Sequence, residues 1–205
     1  MLRVYRIPFS TNVERVALAL AHKGVAVEWV DVDPNDRTPV VAVSGQELVP
    51  VLVDGDLVLS DSPVILEYVE GRFPEPPLFP AEPARRAEIR TFLDWFNQLW
   101  KRTPNLIFAE EQKLEPDRAR IAELEQRIAG ALPRFEDLLT GRDFLFGEEL
   151  TVADVTAFPF LKYAAIWEEG DEYRFHEILR DAMRLDGGYP RLEAWLHRMD
   201  ALPRA

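Results

Sequence analysis

The chain has 205 residues, 47% of them hydrophobic and 11% aromatic, which is enough to bury one large core or two small ones. A formal net charge of −12 argues against a nucleic-acid partner, because phosphate backbones are held by clustered Lys and Arg. Cysteine is absent, which excludes disulfides, thiolate metal sites and a sulfur nucleophile borne by the protein, so any thiol chemistry must use a thiol from outside.

The opening MLRVYRIPF lacks the apolar block of a secretory signal, and no segment approaches the roughly 18 apolar residues of a membrane helix. A cytoplasmic location with no membrane partner is the expectation. Leu2–Ile7 reads as a strand. Val13, Val16, Ala17 and Leu20 then fall at helical spacing, and Gly24 is a good helix stop. Ala26–Val32 is a second strand, so the order is β-α-β, with a right-handed crossover and parallel pairing. Asp33–Leu48 reads as an irregular loop with room for one short helix. Val49–Val53 and Leu57–Leu59 flank Asp54-Gly55-Asp56 and form an antiparallel hairpin. A helix opens at Ser62-Pro63, with Val64, Ile65, Tyr68 and Val69 on its buried face. This order matches a small mixed sheet of thioredoxin type over residues 1–76.

A proline-rich stretch follows, and residues 77–84 serve as the linker, because such a segment cannot continue a helix. Residues 85–205 carry helical patterns only. Ile89, Phe92, Leu93, Phe96 and Trp100 mark one long helix, and Ile121, Leu124, Ile128, Leu132 and Phe135 another. Thr151, Phe175 and Pro190 open three more, and Pro159 should kink or interrupt its own. The fold class is therefore an α/β N-terminal thioredoxin-like domain followed by an all-α bundle.

Four local features carry chemistry or structure. Ser10-Thr11-Asn12 meets the first helix; Thr11-x-x-Glu14 fits a capping box, while a hydroxyl beside a helix N-terminus can stabilise an anion such as an external thiolate. In Leu48-Val49-Pro50-Val51-Leu52, the proline suits the start of a strand. In Ser60-Asp61-Ser62-Pro63, Ser62 suits an N-cap and Pro63 the first helical residue. The same turn can hold a zwitterion, with Asp61 for an ammonium and the helix start with Ser62 for a carboxylate. Thr151-x-x-Asp154 has the spacing of a capping box and reads as structural. His22, His176 and His197 are scattered without ligand spacing, so no metal is expected.

Together these stretches resemble the cytosolic glutathione transferase family across nearly the whole chain. PFSTNVERVALALAHKG is similar to that family's active-site helix entry, LVPVL to its cis-proline strand, LSDSPVILEYVE to its γ-glutamyl site, FGEELTVADV to its buried capping box and YPRLEAWLHRM to its last helix. Ser10 stands five residues before Arg15, as the active-site serine does in tau-type enzymes and the cysteine does in omega-type ones. The resemblance implies a glutathione transferase-like enzyme in which Ser10 donates a hydrogen bond to the sulfur of bound glutathione, or of another low-molecular-weight thiol, for detoxifying attack on a small apolar electrophile. It also implies that Val49 pairs through its backbone with the cysteinyl part, that Pro50 is cis, and that Asp61 and Ser62 hold the γ-glutamyl end. No basic residue in Val43–Leu48 meets the glycine carboxylate, and Glu47 has the wrong sign. Trp95, Trp100, Phe108, Tyr163 and Trp167 are the aromatic candidates for the electrophile pocket, Arg15 is assigned to a structural ion pair, and a homodimer is implied. Isomerisation or dehalogenation on the same thiol site, and a binding or scaffold protein without turnover, are the alternatives.

Overall fold

The computed structural model describes all 205 residues, which fall into two compact units: Met1–Phe79 together with Leu202–Ala205, and Pro80–Ala201. The division falls between Phe79 and Pro80, and the last four residues join the first unit.

The first unit contains β1 (Leu2–Arg6), α1 (Thr11–His22), β2 (Val27–Asp31), α2 (Thr38–Ser44), β3 (Val51–Asp54), β4 (Leu57–Ser60) and α3 (Ser62–Arg72). The sheet order is β2-β1-β3-β4. β1 runs parallel to β2, with Val4 opposite Trp29, and antiparallel to β3, with Val4 opposite Leu52. β3 and β4 are antiparallel around Gly55, whose φ of 59° is the backbone state that a tight hairpin demands of its first turn residue.

Side chains alternate across the sheet, so one strand serves two cores. Leu2, Val4 and Leu52 pack with Val16 and Leu20 of α1 and with Ile65 and Val69 of α3. Tyr5, Val51 and Val53 face the other way, onto Val32 and Val40. Each such buried side chain contributes about 1.5–3 kcal/mol. Val64 does not belong to the buried face of α3: it is 47% exposed, and Leu66 at 2% takes its place.

The second unit is helical: α4 (Pro83–Gln98), a 3-10 turn at Trp100–Arg102, α5 (Thr103–Glu111), α6 (Arg118–Ala129), α7 (Leu132–Leu138), α8 (Val152–Leu161), α9 (Arg174–Ala182) and α10 (Pro190–Asp200). The apolar stripe from Ile121 to Phe135 predicts one helix, and the structure divides it into α6 and α7. Pro133 has no N–H to offer the preceding turn. At Gly130 any Cβ would stand 2.9 Å from the Gln126 carbonyl oxygen. Pro104 marks the separate start of α5 in the same way. α8 is buried along its whole length and runs on through Pro159 to Leu161, where a 3-10 turn takes over, so the expected interruption does not occur.

The core of this unit is aromatic. Phe96 stacks on Trp100 at 4.9 Å and meets Phe160 edge-on at 5.7 Å. The Thr151–Asp154 capping box is formed. The fully buried Asp154 carboxylate also accepts from Leu145 N–H at 2.8 Å and Trp195 Nε1–H at 3.1 Å, fastening α8 to α10. No helix is long and apolar enough to cross a membrane.

Candidate functional site

The end of β1, the start of β3 and the end of β4 lie together, because Val51 pairs with both Tyr5 and Ser60. The segments that extend from these ends carry Ser10, Val49-Pro50 and Asp61-Ser62. Sheet register thus gathers on one edge of the first unit three motifs that are far apart in sequence.

Ser10 is the N-cap of α1, and its Oγ accepts from the Val13 N–H at 3.4 Å. A bond of that length is weak, and it uses only a lone pair of the oxygen; the Ser10 O–H donates to no protein group. The hydroxyl therefore keeps its proton available at a helix N-terminus. Thr11 is not the cap: it is the first helical residue and is buried, so the Thr11/Glu14 capping box does not form. Glu14 instead accepts from Arg204 Nη2 at 2.8 Å.

Asn12 points toward α3. Its Oδ1 accepts from Ser62 Oγ at 3.2 Å and from Arg15 Nη1 at 3.3 Å, and Arg15 Nη1 also donates to Ser62 Oγ at 3.3 Å. Arg15 is fully buried; desolvation brings its guanidinium down to about 9 against the opposing pull of the Asp61 charge. It stays cationic at neutral pH. The expected ion pair is not formed: Arg15 is held by hydrogen bonds to the neutral Asn12 and Ser62 side chains, and Asp61 acts on it only through its charge.

The Val49-Pro50 peptide bond is cis, as the resemblance implies. Ahead of it, the Gln46 side chain shapes the approach: Nε2 donates to the Leu48 carbonyl at 2.8 Å and to Ser60 Oγ at 3.3 Å, and Oε1 accepts from Leu48 N–H at 2.5 Å. The Val49 N–H and C=O pair with no other backbone group, which leaves a donor and an acceptor of the main chain open to a ligand. Gln46, which stands three residues before Val49 of the Val49-Pro50 pair, is not singled out by the sequence.

Asp61, not Ser62, is the N-cap of α3; its side chain makes no capping bond and is exposed, and its φ of 74° turns the carboxylate side of the loop outward at a backbone angle that few non-glycine residues adopt. Ser62 is fully buried, and its hydroxyl proton is given to Asn12. The Ser62 side chain is thus committed inward, and what the turn offers a ligand is the Asp61 carboxylate and the first N–H groups of α3.

The five aromatic candidates do not converge. Trp95 and Trp100 line a cavity of about 500 Å³ with Leu99 and Leu106, and Trp95 also borders one of about 650 Å³ with Phe92, Phe135 and Phe146. Tyr163 is buried and stacks on His176 at 4.3 Å. Trp167 meets Tyr163 edge-on at 5.7 Å and lies beneath the Arg180 guanidinium. Phe108 stands exposed on α5.

Comparison with known proteins decides the family. Residues 4–77 match the glutathione S-transferase N-terminal domain, and residues 118–198 the glutathione S-transferase C-terminal domain. The chain belongs to the glutathione S-transferase family. Among relatives, a stringent starvation protein A homolog of Pasteurella multocida is 35% identical over 152 residues, spanning 72% of this chain and 67% of that protein. Glutathione S-transferase U2 of Arabidopsis thaliana is 28% identical over 202 residues, spanning 94% and 80%. Among solved structures, a glutathione S-transferase of Methylobacterium radiotolerans in complex with glutathione sulfonate superposes with a TM-score of 0.77 at 26% identity, over 100% of this chain and 95% of that one. The mixed sheet followed by a helical unit is thus the glutathione S-transferase architecture.

Proposed function

We propose that this glutathione S-transferase-family protein is an enzyme that binds glutathione on the first unit and uses Ser10 to hold its thiol as a thiolate for attack on a small apolar electrophile. One observation carries the reading: the Ser10 hydroxyl, placed at the N-terminus of α1, accepts from the chain and donates to nothing in it. The sulfonate complex of the Methylobacterium relative supports glutathione as the thiol.

Bound glutathione supplies the nucleophilic sulfur. The chain supplies its surroundings: Ser10 O–H a hydrogen bond to the anion, the helix end a favourable potential, Val49 main-chain pairing for the cysteinyl portion, and Asp61 a counter-charge for the γ-glutamyl ammonium. A thiol of pKa near 8.5 is only a few per cent ionised at neutral pH. Lowering that by about two units takes roughly 2.7 kcal/mol. A charged hydrogen bond of about 1.5–3 kcal/mol with a helix end of about 0.3–1 kcal/mol is sufficient. Phe108 and Trp167 are the candidate aromatics whose rings are most open to an apolar partner. We assign the active form to a homodimer, as is usual for this fold.

The test is conjugation of glutathione to a chloronitrobenzene by wild type and Ser10→Ala. The expected result is a loss of about 10²-fold in kcat/KM, with binding of S-methylglutathione retained. Equal rates in the two proteins would remove Ser10 from the chemistry. A second reading, a glutathione-binding protein without turnover, is favoured by the relatives named as starvation proteins; wild-type binding with no conjugation would select it.

A further inference from the structure

Glu14 lies one helical turn beyond Ser10, and its N–H makes the first main-chain bond of α1, to the Ser10 carbonyl at 2.9 Å. Residues at i and i+4 share a helix face, about 5–6 Å apart. A negative charge there works against a second anion at the helix start. The structure sets a cation on it. Arg204 Nη2 and Nε reach Glu14 Oε1 at 2.8 and 3.3 Å. The two side chains are only 26% and 14% exposed, so water screens them weakly.

The segment carrying Arg204 is tied down on both sides. Arg204 Nη1 donates to the Leu202 carbonyl at 2.7 Å, Ala205 N–H to the Ala17 carbonyl of α1 at 3.2 Å, and Trp29 Nε1–H of β2 to the Ala205 carbonyl at 2.8 Å. Helix stability does not call for this arrangement. An acidic residue in a first turn already interacts well with the helix dipole, and a cation placed on it cancels that interaction. A cation that neutralises Glu14 favours an anion bound at the cap.

On the reading of Ser10 given above, we infer that Arg204 is a positioning residue for the thiol site: it binds the Glu14 carboxylate so that this charge does not oppose a sulfur anion beside the Ser10 hydroxyl. Residues 202–205 are thereby part of the activating machinery, although they follow the last helix.

The experiment is titration of the thiol of bound glutathione by thiolate absorbance, with the pH profile of kcat/KM, in wild type, Arg204→Gln, Arg204→Lys, Glu14→Gln and the double variant Arg204→Gln/Glu14→Gln. Arg204→Gln is expected to raise the bound thiol's pKa by about 0.5–1 unit, cutting the thiolate fraction below that pKa by about three- to ten-fold. Arg204→Lys keeps most of the effect, Glu14→Gln alone shifts the thiol downward, and the double variant returns to the wild-type value. Affinity for S-methylglutathione, which has no thiol to ionise, stays constant throughout. An unmoved thiol in Arg204→Gln, or a shift that the double variant does not reverse, overturns the inference and leaves the Ser10 reading intact. Should Arg204→Gln not fold, an unmoved thiol in Glu14→Gln overturns it equally. A wild-type thiol that titrates like free glutathione sinks the Ser10 reading, and this inference with it.

Discussion

The Ser62 hydroxyl donates to Asn12 Oδ1 at 3.2 Å, joining the first turn of α3 to the first turn of α1 across 50 positions of sequence. Arg15 closes the ring through both oxygens. Asn12 is two residues from Ser10, and Ser62 adjoins Asp61, so this ring fixes the spacing between the proposed sulfur contact and the proposed ammonium contact. Asn12→Ala takes an acceptor away from a buried guanidinium and a buried hydroxyl. The expected cost is about 1–3 kcal/mol, and glutathione affinity should fall with it. Thermal unfolding and titration calorimetry check both; an unchanged unfolding temperature would show that the ring carries no stability.

Asp61 combines a role in charge with an unusual backbone angle, and two variants separate them. Asp61→Asn removes the charge but keeps a residue type that tolerates positive φ. Asp61→Ala removes both and should cost about 1–2 kcal/mol more in stability. Both should weaken glutathione binding by a similar factor, about ten-fold or more for loss of a charged contact. If Asn binds as tightly as Asp, the ammonium is held elsewhere.

The first unit was readable from sequence because its strands are short, its crossover helix is strongly periodic and its hairpin turn is marked by Gly55. The four motifs were legible as places, and less so in their internal assignment. Thr11 and Glu14 have capping-box spacing, yet Ser10 caps α1 because Glu14 is drawn to Arg204, a partner 190 positions away. Ser62 has the right chemistry for an N-cap, but the ring with Asn12 and Arg15 pulls it inside. Long-range partners decided both cases, and no local pattern reports them. α5 leaves no signal in the sequence, because Leu106, Ile107 and Phe108 are consecutive and trace no helical stripe. Tyr163 is a core ring stacked on His176, and Trp100 borders a cavity while its ring is packed on Phe96 and Phe135, a distinction that depends on neighbours distant in sequence.

Asp154 is the most heavily satisfied buried acid in the helical unit. Besides the Leu145 and Trp195 donors it accepts from Thr151 N–H at 2.9 Å and Thr151 Oγ1–H at 2.8 Å. Burial pushes its carboxyl upward, and these four donors pull it back. Asp154→Ala strands them all and removes half of the capping box. The expected loss is about 3 kcal/mol or more, seen as a drop of roughly 6–12 °C in unfolding temperature. Asp154→Asn, which keeps an acceptor oxygen, should lose less. A drop under about 2 °C in the alanine variant would show that α8 is anchored without this residue.

His176 gives the helical unit a pH response whose sign is fixed by its surroundings. Its Nδ1 lies 2.6 Å from Asp171 Oδ2, which also accepts from Tyr163 Oη–H at 2.9 Å, and Tyr163, Tyr173 and Phe175 cover the ring. Burial lowers the imidazole's pKa; Asp171 and Glu168 pull it up, and Lys162 adds to the lowering. Because a carboxylate only accepts, the proton of the neutral ring sits on Nδ1. The folded state therefore resists a second proton that the unfolded chain takes up near the ordinary histidine value of 6.5. Between the folded and unfolded pKa values the unfolded chain binds more protons, so stability is full above the unfolded value and declines as pH falls below it. His22 is shifted the same way, by burial first and then by Lys23, and adds to the slope. The unfolding temperature should fall on acidification through this window, before most of the carboxylates titrate. His176→Gln should flatten part of the slope while lowering the plateau through the lost Asp171 contact; a slope identical to wild type would mean that His176 takes up its proton without cost to the fold.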